Sequence, residues 1–162
     1  MDNLSEAREI FFDHDGSEYY MLTNDILDKY RSFRVPLNKE RQWLKELTDY
    51  KLLQLTQSGN GHVIQFLEHH GMFQYSELIL KNVPLGTLVE KAIFLENLFN
   101  YGGHLANRKD REIVYSYIIE QANCLAKDSK SHESLNRFEN LLKKCTKELE
   151  PTTIQRIIKK YL

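Results

Sequence analysis

Apolar residues recur at helical spacing along almost the whole chain, and this pattern constrains the fold more than any other feature of the sequence. It is clearest near the C-terminus, where one apolar stripe follows the i, i+3, i+4, i+7 rule of a helix face. This stripe consists of Leu135, Phe138, Leu141, Leu142, Cys145 and Leu149. Only 7 Gly and 3 Pro interrupt the 162 residues, which are too few for a turn-rich all-β fold. The pattern therefore predicts an all-α chain.

Several residues mark the expected helix starts. Thr87 and Glu90 are spaced as a capping box, in which each side chain bonds a backbone N–H group near the other residue. Ser131 is a predicted N-cap, and Pro151 suits the first turn of a helix because that position needs no N–H donor. The helix after Thr87 is apolar round most of its circumference, so we expect it to be the most buried.

These starts recur at a regular interval. Helices are expected to begin near Asn38, Thr87 and Ser131, with second helices near Gly61, Arg108 and Pro151. The interval is similar to the roughly 40–47 residues of HEAT-type helical hairpins, although no residue-level repeat lies beneath it. We expect stacked antiparallel helical hairpins of HEAT-like type or, equally, an irregular multi-helix bundle. Either would contain about seven to nine helices in a single domain over residues 1–162.

The first 35 residues are less regular. A capping pattern at Asn3 predicts a short helix that runs to Phe12. Thr23 or Asn24 is expected to cap a second helix, and a strand over Tyr19–Leu22 is the alternative for the residues between.

The cysteines and the lack of long apolar runs bear on location. Cys124 and Cys145 both fall in apolar-periodic stretches, so we expect two small buried thiols rather than a disulfide framework. The chain opens with no leader-like segment, and no apolar run approaches the roughly 18 residues of a membrane span. These features predict a soluble cytoplasmic protein without membrane association.

The calcium-like and histidine-rich segments do not have the spacing of a metal site. Asp13-His14-Asp15-Gly16 resembles the start of a calcium loop, but Asn24 stands where a bidentate Glu is needed, so an acidic turn is expected. His62 and His69 are seven residues apart, or about 10 Å along a helix, which is too far for one ion. His69 and His70 are interpreted as a surface pair, so we expect no metal.

No catalytic motif is present in the sequence. Gly59-Asn60-Gly61 lacks the Lys-Ser/Thr pair and the preceding strand of a phosphate-binding loop, and no nucleophile elbow exists. We therefore expect a non-catalytic protein without a cofactor.

Charge is unevenly distributed although the formal net charge is only −1. Residues 1–30 contain eight acidic and two basic residues, whereas residues 127–162 contain nine basic and five acidic ones. The basic end suggests a nucleic-acid surface formed by Lys143, Lys144, Lys147, Arg156, Lys159 and Lys160. An isoelectric point near 6.6 argues against that interpretation, so it is kept as the alternative.

The acidic end combines carboxylates with aromatic rings. A docking face for a basic protein partner is predicted from Asp13, Asp15, Glu18, Tyr19, Tyr20, Asp25 and Asp28. Aromatic residues are enriched in interface cores as well as in domain cores. The competing interpretation is that these rings only cap the end of the helical stack.

One part of the chain resembles known proteins. From Ala7 to Leu47 the sequence is similar to small uncharacterised proteins of Gram-positive bacteria, and the remainder resembles HEAT-like helical immunity or adaptor proteins. The residues that carry the first resemblance are Phe11-Phe12, Gly16-Ser17, Tyr19, Met21, Tyr30, Phe33, Val35-Pro36, Glu40 and Trp43-Leu44. The resemblance implies a binding role and transfers no catalytic residue. We therefore expect a protein-interaction module of the immunity, inhibitor or adaptor type, with a nucleic-acid-associated regulator as the alternative.

Overall fold

The computed structural model describes the backbone of residues 3–161 and the side chains of residues 3–159. These residues form helices and no strand, which confirms the all-α prediction. The helices are α1 (Asn3–Asp13), α2 (Glu18–Thr23), α3 (Leu27–Ser32), α4 (Leu37–Ser58), α5 (His62–His69), α6 (Ser76–Leu80), α7 (Leu88–Gly103), α8 (Arg108–Asp128), α9 (His132–Glu148) and α10 (Pro151–Tyr161), with a 3-10 turn at Phe73–Tyr75. None of the described helices is both long and apolar enough to cross a lipid bilayer.

Contacts divide the chain into two compact units, Met1–Leu53 and Gln54–Leu162. The N-terminal unit contains α1 to α3 and most of α4, and the C-terminal unit contains the end of α4 and α5 to α10. The single domain over residues 1–162 and the HEAT-like stacking of hairpins both stay predictions.

The segment after α1 differs from the expectation. Ser17 caps α2 by accepting a hydrogen bond from a backbone N–H in the first turn, at 3.3 Å. The strand over Tyr19–Leu22 is therefore wrong. Thr23 and Asn24 end α2, and the next helix begins only at Leu27. The extra helix α2 brings the described total to ten, above the seven to nine expected.

Aromatic rings form the core of the N-terminal unit. Phe11, Met21, Tyr30 and Trp43 are all buried, and the ring centroids of Phe11 and Trp43 lie 5.7 Å apart. Tilted aromatic pairs at this distance add specific ring contacts to the stabilisation from burial. Part of the aromatic N-terminal segment therefore packs into the core of its own unit.

The C-terminal unit is built round α7, as predicted from its apolar circumference. Phe94, Leu95, Leu98 and Tyr101 on this helix have no exposed surface. The helix packs against α5, α8 and α9. The predicted capping box is present, because the Thr87 backbone N–H donates to Glu90 Oε2 at 2.7 Å and Glu90 returns a bond from its own N–H. The start and the burial of this helix are thus confirmed.

Three side chains on α7 and α8 hold backbone carbonyls of the preceding segment. Asn97 Nδ2 donates to Gly61 O at 3.0 Å, Tyr101 Oη to Met72 O at 3.0 Å and Tyr117 Oη to Asn82 O at 2.7 Å. A buried or half-buried carbonyl without a hydrogen-bond donor destabilises the fold. These three bonds supply the donors and also hold the loops in position.

The two cysteines have different surroundings. Cys145 is fully buried, as expected, but Cys124 is exposed, so the prediction of two buried thiols is wrong for Cys124. Successive helical residues are about 100° apart, so Cys124 lies about 200° round the helix from Ala122, which faces the core. Apolar neighbours in sequence therefore did not indicate the direction of this side chain.

Gly61 lies where α5 begins and touches the backbone of α7. A Cβ atom at this position would lie 2.6 Å from Phe94 Cα and 2.9 Å from Phe94 N. These are backbone atoms in the middle of a buried helix, so they cannot move away as a flexible side chain can. The close approach of the two helices therefore requires glycine.

We expect Gly61→Ala to lower the free energy of unfolding by about 1–3 kcal/mol, because the added methyl overpacks against α7. Chemical denaturation followed by circular dichroism measures the change. Gly103→Ala is the matched control, because its Cβ would meet only Tyr115 Oη, at 3.7 Å. The control should be neutral or more stable by up to about 1 kcal/mol. Equal stability of the two variants would contradict the role of Gly61.

Candidate functional site

The short helix α2 turns two apolar side chains toward solvent. Tyr19 is 62% exposed and Leu22 is 61% exposed, while Met21 between them is buried at 1%. Tyr19 and Leu22 are three residues apart, so they share one face of the helix. Tyr20 is half-buried, and its ring meets Tyr19 edge-on at 5.7 Å. The helix therefore presents a small apolar face anchored by a buried methionine.

Leu22 was missed in the sequence analysis. Its spacing from Tyr19 was visible, but apolar residues at helical spacing usually indicate a core face. Only the position of Met21 in the core shows that the opposite side of this helix is exposed.

Two of the acidic residues predicted for partner binding are neutralised within the N-terminal unit. Asp15 Oδ1 lies 2.6 Å from Lys51 Nζ, and Glu18 Oε2 lies 3.0 Å from Arg31 Nη2. The Asp15 pair is partly sheltered, because its side chains are 33% and 20% exposed. These carboxylates therefore help to hold the helices of the unit together, and they contribute less to its surface charge than the sequence suggests.

Three other predicted acids remain on the surface. Asp13, Asp25 and Asp28 are exposed and form no ion pair with the described residues. Asp25 directly follows the apolar face, because its backbone N–H donates to Leu22 O at 3.1 Å. Asp28 lies in the first turn of α3, which packs against α2.

We define the Tyr19 surface as Tyr19, Leu22, Asp25 and Asp28. It combines two exposed apolar side chains with two carboxylates that have no ion-pair partner in the described part of the chain. Interface cores favour aromatic anchors of this kind, and rim charges steer a partner of opposite sign. The surface is thus smaller than the predicted set of seven residues and has a different composition.

Tyr30 fixes α3, and with it Asp28, to α4. Its hydroxyl donates to Glu40 Oε1 at 2.6 Å, and the ring is only 4% exposed. Burial, with the Glu40 carboxylate as the second cause, raises the pKa of Tyr30 far above the ordinary value of 10.0. The neutral hydroxyl is therefore the form that the fold requires.

The basic end of the chain does not form a uniformly positive face. Lys143, Lys144 and Lys159 are exposed. The depression at Lys147 also contains Arg108, Arg111, Glu112, Glu148 and Glu150, and the one at Arg156 also contains Lys109, Glu112 and Glu120, so charges of both signs lie in each. The side chain of Lys160 lies outside the described residues. Acidic neighbours thus interrupt the surface that was predicted for nucleic acid.

The histidines lie at separate places in the C-terminal unit. His62 begins α5, whereas His69 ends it and has its ring 5.1 Å from that of His70. A fourth histidine, His104, places Nε2 3.2 Å from Glu68 Oε1. In residues 3–159 no group of three or more His, Cys, Asp or Glu side chains is arranged to hold a metal ion.

We expect Tyr30→Phe to lower the free energy of unfolding of the N-terminal unit by about 1.5 kcal/mol, because it removes a hydrogen bond to a charged group. Trp43 is buried in this unit and is the only tryptophan, so its fluorescence reports the transition. Tyr19→Phe is the matched control and should change nothing, since Tyr19 is exposed.

Tyr30→Phe should also alter how the free energy of unfolding depends on pH. The folded-state pKa of Tyr30 lies above the value of about 10 for an unfolded tyrosine. The contribution of Tyr30 to stability is therefore complete below pH about 10 and is lost as the pH rises further. Tyr30→Phe should lose less stability above pH 10 than the wild type. Identical alkaline profiles would contradict this assignment.

Comparison with known proteins adds no family to these observations. No protein-family model, no curated protein and no solved structure matches the chain. The resemblance to small proteins of Gram-positive bacteria and to HEAT-like immunity or adaptor proteins therefore stays a hypothesis.

Proposed function

We propose that the chain is a non-catalytic protein-interaction module that binds a basic protein partner through the Tyr19 surface. The observation that carries this proposal is the exposure of Tyr19 and Leu22, at 62% and 61%, on one face of a helix whose other side is buried. Leaving two large apolar side chains in water gives the fold no stability, whereas burying them against a partner removes apolar area from solvent.

Charge supports a basic partner. Asp25 and Asp28 follow the apolar residues in the sequence, are exposed and form no ion pair with the described residues. Exposed charges at the rim of an interface accelerate association with a partner of opposite charge and lose this effect at high salt. A partner that presents Lys or Arg round an apolar patch would therefore complement this surface.

The proposal also covers the class of binding protein and its cellular compartment. Immunity, inhibitor and adaptor proteins act by binding another protein, and the Tyr19 surface has the composition for such a contact. A cytoplasmic location belongs to the same proposal, because both cysteines are free thiols and the cytosol keeps thiols reduced.

The alternative, a nucleic-acid-associated regulator, has weaker support. Phosphate binding needs several cations that are not neutralised by neighbouring acids. Lys147 and Arg156 lie in depressions that contain glutamates as well as other cations, so neither depression is uniformly positive.

We expect a partner captured by the wild-type chain to be lost when the Tyr19 surface is changed. Tyr19→Ser with Leu22→Ser removes the apolar anchor, and Asp25→Lys with Asp28→Lys reverses the charge. Each pair should weaken binding by about 30-fold or more, the size of an interface hot spot. Quantitative affinity capture at low and high salt measures both effects.

Val83→Ser with Leu85→Ser is the matched control, since these residues are similarly exposed at 53% and 44% but lie in the C-terminal unit. This control should retain the partner. Binding that survives both changes at the Tyr19 surface, or that does not respond to salt, would contradict the proposal.

A further inference from the structure

The C-terminal unit contains an apolar groove between α8, α9 and α10. Its volume is about 390 Å³, within the roughly 300–1,000 Å³ of small-molecule pockets. The groove walls are mainly aliphatic and include Ile119, Leu142, Ile154, Ile157 and Ile158. Ile158 is 49% exposed although it lines this apolar groove, so the outer wall is open to solvent.

The polar groups in the groove are donors rather than acids. Asn123 and Lys127 line it from α8, and their i, i+4 spacing places them on one side of that helix. Neither side chain forms a hydrogen bond or an ion pair with the described residues. Thr146 also lines the groove, but its hydroxyl already bonds the carbonyls of Leu142 and Lys143. No described lining residue is acidic, so the groove favours a group with negative charge.

The volume and the aliphatic walls together favour a small ligand over a helix. A helix about 10–12 Å across with a pitch of 5.4 Å occupies on the order of 400–600 Å³ per turn. The groove therefore holds no more than about one turn of a partner helix, whereas a single aliphatic chain fits along its walls. An unbranched chain also has the apolar surface that the isoleucine and leucine side chains can cover.

We propose that this groove binds a free medium-chain fatty acid, of about the length of dodecanoate. The hydrocarbon chain lies against Ile119, Leu142 and Ile158, and the carboxylate accepts from Lys127 Nζ and Asn123 Nδ2. The proposal is independent of the proposed protein partner, because the Tyr19 surface belongs to the N-terminal unit.

Calorimetric titration of the full chain with dodecanoate tests the binding directly. We expect one site per chain and an affinity that rises from octanoate to decanoate to dodecanoate, by up to about fourfold for each added methylene. Dodecylamine has the same chain but a positive head group, so Lys127 should make it bind more weakly. Absence of binding, or equal binding of dodecylamine and dodecanoate, would overturn the proposal.

Substitutions in the groove test its residues. Lys127→Glu should weaken dodecanoate binding at least about fivefold, since it exchanges an attraction for a repulsion. Lys130→Glu makes the same charge change at an exposed position outside the groove and should stay within about twofold. Equal effects of the two would mean that the overall charge, and not the groove, controls binding.

Thr146→Trp is expected to fill the groove and abolish binding. Asn140→Trp, at an exposed position on the same helix outside the groove, is the control for the added ring. Circular dichroism checks that both variants stay folded. If Thr146→Trp does not fold, the comparison of Lys127→Glu with Lys130→Glu still decides the question. Unchanged binding by a folded Thr146→Trp variant would overturn the proposal.

The exposed thiol of Cys124 reports where the ligand lies. Cys124 lines the groove, whereas Cys145 is buried and its burial raises the pKa of the thiol to about 12. A maleimide reagent should therefore label only Cys124 in the native protein, and saturating dodecanoate should slow this reaction. If dodecanoate does not change the labelling rate, the ligand does not lie in the groove, and the proposal is overturned. A groove that accepts only a protein would give the same unchanged rate.

The two proposals fail separately. Tyr19→Ser with Leu22→Ser should bind dodecanoate as the wild type does. Loss of dodecanoate binding in this variant would contradict the groove as the site and would leave the capture of a protein partner to be judged on its own result.

Discussion

The C-terminal unit depends on the burial of α7. This helix is apolar round most of its circumference, so its stability depends on cover from other helices, and α5, α8 and α9 pack against it. The approach of α5 is so close that Gly61 touches the backbone at Phe94 without any intervening side chain. The tyrosine and asparagine bonds to the carbonyls of Gly61, Met72 and Asn82 also originate from α7 or from its neighbour α8.

The N-terminal unit follows a different physical logic. Its helices α1, α2 and α3 have 11, 6 and 6 residues, and isolated helices of this length are marginal in water. They are held by an aromatic core and by ion pairs between separate segments, such as that of Lys51 on α4 with Asp15 in the turn between α1 and α2. The same ion pairs determine which carboxylates stay available on the surface. Part of the acidic set is thus used within the unit, and Asp13, Asp25 and Asp28 are left without an ion pair among the described residues.

The two proposed sites differ in chemistry as well as in place. The Tyr19 surface has two exposed apolar side chains on a short helix and two exposed carboxylates that follow them in the sequence, which suits a protein partner. The groove between α8, α9 and α10 is concave, aliphatic and bordered by donors, which suits a small anionic amphiphile. The two proposed sites lie on separate units, so binding at one does not depend on binding at the other.

The sequence by itself determined the class of the fold and the positions of most helices. Local signals were sufficient there, because hydrophobic period, the Thr87 capping box, the Ser131 cap and Pro151 each act within a few residues. It also indicated α7 as the buried helix, since no other helix is apolar on so many sides. The short helix α2 was missed because its cap, Ser17, follows a turn in which Asp15 and Gly16 adopt positive φ, and six residues carry too little periodicity to identify a helix.

The direction of individual side chains and their pairing were decided only by the tertiary structure. Tyr19 and Met21 are similar in hydrophobic pattern, yet one is exposed and the other is buried, because only the packing of α2 on its neighbours chooses a face. Asp15 and Asp25 are equally acidic in the sequence, but Lys51, 36 residues further along, neutralises the first and leaves the second free of an ion pair among the described residues. Contacts between distant residues have no local signature: they decide which face of α2 is exposed, and they bring α8, α9 and α10 together round the groove.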